Sequence, residues 1–155
     1  YTVLLDGRKI GQFENRREVR DTRVLTRQEM RIELDRAGTR VAMNSIETSE
    51  ETLDGKPLAF GNETHMSGSE VKIVGLVDGE RVRVRHLNAG AWNERQLTWP
   101  KGSLLPEGLR LTLLDTPLDE GVTFSKLVFQ PSTLDAVEVT SRIGRSEMIS
   151  LPGGR

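Results

Sequence analysis

The chain has 155 residues, of which 35% are apolar and 29% charged, and its 22 basic and 23 acidic side chains leave a net charge of −1. That length suits one domain with its own core, and the charge balance offers no general positive field for nucleic acid. The sequence has no cysteine, which removes thiol nucleophiles, thiolate metal sites and disulfides together.

The first elements alternate with a period of two. Tyr1 to Leu5 and Ile10 to Val19 read as a hairpin around Asp6-Gly7-Arg8-Lys9. The run Thr22 to Asp35 sets Val24, Thr26, Gln28, Met30, Ile32 and Leu34 on one side. Arg23, Arg27, Glu29, Arg31, Glu33 and Asp35 fall on the other. Such a strand is dry on one face and wet on the other. Ala37-Gly38 turns the chain into Thr39 to Ser49, where broken alternation between Met43 and Ile46 predicts a bulge or strand bend. Glu50 to Phe60 contains the turn Asp54-Gly55-Lys56-Pro57, and Phe60 to Met66 is a further strand. Val71 to Val77 and Glu80 to Leu87 flank Asp78-Gly79, and Asn88-Ala89-Gly90 leads into Ala91 to Trp99.

The pattern changes at Pro100. Ser103 is an N-cap candidate, and Leu105, Leu109 and Leu113 recur every four residues, which predicts a short helix over 104–114. Gly108 weakens that helix, and a strand over Leu109 to Leu113 stays open as an alternative. Strands resume at Val122 to Gln130, Leu134 to Ile143 and Ser146 to Leu151. The expected fold is all-β: about ten antiparallel strands with one short helix. They would form a strongly curved sheet, either a half-open barrel or a two-layer sandwich. Residues 1–150 form this single domain, and 151–155 read as a linker or chain end. Met30, Ile32, Leu34, Val71, Ile73, Val82, Val84, Val137 and Val139 are the expected core. The chain opens inside a strand without an initiator Met and closes on Pro152-Gly153-Gly154, so both ends read as cut.

No catalytic constellation emerges, and no catalytic residue, metal ligand or cofactor is assigned. His65 and His86 are the only histidines, and a zinc site wants three or four ligands. A regular strand would bring Glu63 beside His65, so Glu63, His65 and His86 are the one metal-assisted hydrolase candidate. The favoured reading keeps both histidines as ordinary strand residues. No serine lies in a Gly-x-Ser-x-Gly elbow and no phosphate loop occurs. The carboxylate pairs Glu50-Glu51 and Asp119-Glu120 read as solvated. Trp92, Trp99, Phe60 and Phe124 are candidate contacts for an apolar ligand, with simple core packing as the competing reading. No apolar stretch approaches the ~20 residues that span a bilayer.

Three stretches occur together: Tyr1 to Gly11 (YTVLLDGRKIG), Glu50 to Phe60 (EETLDGKPLAF) and Leu97-Thr98-Trp99-Pro100. Gly121-Val122-Thr123-Phe124 and Phe129-Gln130-Pro131 follow them. In combination they resemble the non-catalytic β region that precedes the transglutaminase-like, papain-fold domain of certain bacterial envelope proteins. The resemblance implies an accessory domain in the periplasm or at the cell surface. Its partner would be a downstream transglutaminase-like domain in the same polypeptide, and the family's catalytic Cys, His and Asp belong there. Homodimerisation through strand edges is a further expected contact. A lipid-binding or other apolar-ligand module of the envelope is the alternative function.

Overall fold

The computed structural model describes residues 1–148 except 37, 67 and 89. Eight strands follow one another as an antiparallel meander: β1 (Thr2–Leu5), β2 (Arg8–Arg20), β3 (Arg23–Arg36), β4 (Thr39–Thr52), β5 (Pro57–Met66), β6 (Ser69–Asp78), β7 (Arg81–Asn88) and β8 (Ala91–Thr98). Chain order and spatial order coincide, because every connection is a tight hairpin. Asp6 and Gly7 at the first turn have φ of 49° and 76°, the left-handed values a two-residue hairpin needs. The sheet does not close, so β1 and β8 are edges without a strand partner among the described residues. A short helix, α1 (Pro106–Leu114), and a separate hairpin of β9 (Thr123–Gln130) and β10 (Asp135–Arg142) complete the fold. The expected all-β antiparallel class with one helix is the observed one.

The register assigns every side chain to a face, because directly opposed residues project the same way. Rows of paired residues cross the inner face. One row runs Arg17, Thr26, Ser49, Phe60, Gly75, Val84. Here the far end of the Phe60 ring occupies the space a Cβ on Gly75 would fill. Phe60 meets Phe129 of β9 at a ring-centroid distance of 4.8 Å, and Trp99 completes the group, 4.5 Å from Phe129. Ile73, Val82, Val84 and Leu105 close this core. The helix and the β9–β10 hairpin therefore cover one end of the inner face. Leu104 ties them together: its N–H donates to Leu127, and its carbonyl accepts from Phe129, both at 2.9 Å.

Several expectations are corrected. Of the expected core, Ile73, Val82 and Val84 are buried, whereas Met30, Ile32, Leu34 and Val71 are only half-buried. Val137 and Val139 are 36% and 42% exposed, because strand alternation turns them away from the side on which Ala136 packs against the core. The hairpin's inward side carries Phe129 and Ala136. β4 pairs with β3 without a shift from Thr39 to Thr52, so no bulge separates Met43 from Ile46; Ile46 belongs to the outer face. The register shift on β4 falls at Glu50/Glu51, against β5. Ser103 is not the N-cap: its hydroxyl donates to the Pro100 carbonyl at 2.7 Å, and Leu105 takes the cap position with no side-chain bond. Residues 146–148 are not strand, and the rest of that expected strand lies outside the described residues, as does the expected linker 151–155.

Candidate functional site

An α-helix begins with backbone N–H groups that have no partner inside it. The N-terminus of α1 is buried against the sheet, so something else must accept them. Glu51 of β4 does so. Its Oε2 accepts from Glu107 N–H at 2.8 Å and its Oε1 from Gly108 N–H at 2.9 Å, while Ser49 Oγ adds a third bond at 3.1 Å. Burial pushes the Glu51 carboxyl up, and the two backbone donors oppose that shift. Both oxygens are engaged as acceptors, which suits the ionised form at a helix N-terminus. In the sequence, Glu50-Glu51 reads as a solvated pair. The strand alternation separates them: Glu50 turns outward to pair with Arg23, and Glu51 turns inward with 0% exposure.

Helix and sheet also touch through backbone. A Cβ on Gly55, whose φ is +77°, would lie 2.6 Å from Gly108 Cα, so glycine at both positions permits the approach. In the first turn of α1 sits Glu107, 1% exposed. Arg17 of β2 grips it through Nε and Nη2 at 2.7 and 2.9 Å, and Arg110 does the same from the next turn at 2.9 and 2.7 Å. These forked contacts, Arg110 first, hold the Glu107 carboxyl at about 2. A carboxyl held below its ordinary 4.5 stabilises the fold above that pH and loses its contribution as the pH falls toward 2. Because both arginines are half-exposed, the expected loss between pH 6 and pH 2.5 is about 1–3 kcal/mol. Urea denaturation of the wild type and Glu107→Gln at both pH values measures it. The variant should lack this part of the acid sensitivity; parallel pH profiles would contradict the assignment.

Beyond the covered end, the inner face changes character twice. The next row, Asn15, Gln28, Glu47, Asn62, Ile73, His86, Asn93, is a polar belt across the sheet with one apolar member. Asn62 is buried and donates to Glu47 at 3.5 Å. Burial pushes the Glu47 carboxyl up, with Asn62 and Ser132 opposing. Past the belt, apolar side chains return: Phe13, Met30, Val71, then Ile32, Met43, Met66, then Leu34 and Val41. Of these only Val71 packs against the core cluster. The rest are half-buried, and Met66 is 50% exposed. An apolar sheet end thus stands without a second layer from the described residues.

A cleft of 380 Å³ runs between α1, the β9–Pro131 segment and the inner face of β2–β4. Leu105, Leu109, Leu113, Val128, Phe129 and Pro131 form its apolar wall, and Arg17, Thr26, Glu47 and Arg110 are among its polar members.

The candidate ligand contacts fall in three places. Phe60 and Trp99 are buried side by side in the core, 6.2 Å apart by ring centroids. Phe124 is half-buried on β9. Trp92 pairs with Leu87 on the outer face, 44% exposed, with the Arg85 guanidinium 4.8 Å over its ring. Nor does the histidine candidate assemble as drawn. His65 Nε2 lies 2.8 Å from Glu63 on the outer face, but His86 pairs with Ile73 and therefore projects from the inner face. Register instead adds Glu70, opposite His65, so that ligand atoms of Glu63, His65 and Glu70 lie within 4.8 Å of one another. His65 and Lys72 already occupy the two Glu63 oxygens and pull its carboxyl down. This is an outer-face ion-pair cluster.

Among the described residues no helix is long and apolar enough to cross a membrane. No protein-family model, curated protein or solved structure matches the chain.

Proposed function

We propose that this chain is a non-catalytic interaction domain that docks a neighbouring protein domain against the open apolar end of its inner sheet face. The carrying observation is the half-exposed group Phe13, Met30, Ile32, Leu34, Val41, Met43 and Met66, bounded on one side by the polar belt. Contiguous apolar surface of this kind marks interaction sites, and methionines adapt to the surface they meet. The partner we assign, from the sequence resemblance, is a transglutaminase-like domain of the same polypeptide, outside the bacterial cytoplasm. The edge of β8 is a poorer docking element, since Glu94 and Arg95 on it discourage strand pairing.

The test mixes the β domain with that transglutaminase-like domain. Association in trans should be lost in Met43→Glu, a half-exposed position whose substitution leaves the covered core intact. Absence of association, or association untouched by Met43→Glu, would overturn the reading. The alternative, an apolar-ligand module, draws on a different feature: the cleft beneath α1.

A further inference from the structure

We propose that the cleft beside α1 binds a single-tailed carboxylate, an acyl chain of about ten carbons. Its head would sit between Arg17, Arg110 and Thr26, and its tail would lie along Leu109, Leu113, Val128 and Pro131. The site lies across the polar belt from the docking face and stands independently of it.

Size comes first. The cleft's 380 Å³ falls in the range of small-molecule sites, about 300–1,000 Å³. At about 30 Å³ for each water-sized group it holds roughly a dozen such groups. That suits one acyl chain and is too little for a two-tailed lipid.

Charge chooses the head. Arg17 and Arg110 bring two positive charges to one carboxylate, Glu107. Each guanidinium spends Nε and Nη2 on Glu107. Of its five N–H donors two are used, so three per arginine remain for an incoming anion. Glu47 lines the cleft from the same sheet face, and burial pushes its carboxyl up. These unspent guanidinium donors are what an anionic head would engage.

Thr26 supplies an independent indication. It is the cross-strand partner of Arg17, is buried to 6% exposure and lines the cleft. Its hydroxyl makes none of the described protein hydrogen bonds, yet it is absent from the buried side-chain atoms left without a partner. The residue borders the cleft beside Arg17, its cross-strand partner. One carboxylate oxygen can accept from Thr26 while the other accepts from the guanidiniums, which fixes the head and directs the tail along the leucines of α1.

The experiment titrates the whole chain with decanoate, hexanoate, decanol and decyltrimethylammonium by calorimetry. Decanoate should bind, hexanoate should bind weaker by about fourfold per missing methylene, and decanol should bind at least tenfold weaker. The cationic amphiphile should not bind. Thr26→Val and Leu113→Asp should each weaken decanoate at least fivefold. Leu113 is 39% exposed, so that variant tests the tail wall even if changes at Arg17 or Arg110 unfold the chain. Equal affinity for decanoate and decanol would overturn the proposal, as would no binding of either, or decanoate affinity unchanged in both variants.

Discussion

Glu51→Ala should cost about 3–5 kcal/mol of folding stability, since it strands two buried backbone donors of α1 and removes a charge that the helix N-terminus holds. The N–H groups of Glu107 and Gly108 have no other acceptor among the described residues, and Leu105 offers no capping side chain. Urea denaturation gives the magnitude, and amide exchange at Glu107 and Gly108 gives the location. Glu51→Gln keeps one acceptor oxygen and should fall between wild type and Glu51→Ala. A loss below about 1 kcal/mol for Glu51→Ala would show that α1 does not depend on this cap, since even one stranded donor costs that much.

The second large effect separates contact from conformation. Gly7 and Gly55 have nearly the same φ, 76° and 77°, yet a Cβ on Gly7 meets nothing within 4 Å while one on Gly55 meets Gly108 Cα at 2.6 Å. Alanine at either position incurs the left-handed backbone penalty of about 1–2 kcal/mol. Gly55→Ala must also push backbone against backbone, so its total should reach about 2–4 kcal/mol. The difference between the two variants, read from denaturation midpoints, is the helix–sheet contact alone. Equal losses would mean that α1 shifts freely on the sheet.

These two predictions rest on features that the sequence shows unequally. The meander was legible because turn chemistry and alternation act over a few residues. Asp6-Gly7 and Asp78-Gly79 each announce a hairpin, and Val24 to Leu34 announces the inward face of one strand. The helix was legible from Leu105, Leu109 and Leu113, but its cap was not. Glu51 precedes Glu107 by 56 positions, and a glutamate at a strand position beside another glutamate carries no mark of burial. The polar belt was hidden for the same reason. Gln28 stands in the inward list of one strand, yet only the pairing of six strands shows that Asn15, Glu47, Asn62 and His86 extend it into a row. Face assignment likewise undid the grouping of His86 with Glu63 and of Trp92 with Phe60. Each strand's alternation is local, but which of its two faces meets the core depends on register.

The interaction reading depends on the open apolar end being the surface that meets the partner. Methyl NMR of the methionines addresses it directly. Of the four, Met30, Met43 and Met66 project from that end, and Met148 lies fully exposed after the last strand. On titration with the transglutaminase-like domain proposed as partner, the resonances of Met30, Met43 and Met66 should shift or broaden together while Met148 stays in place. Unchanged resonances for those three, at concentrations where the two domains associate, would contradict the docking face.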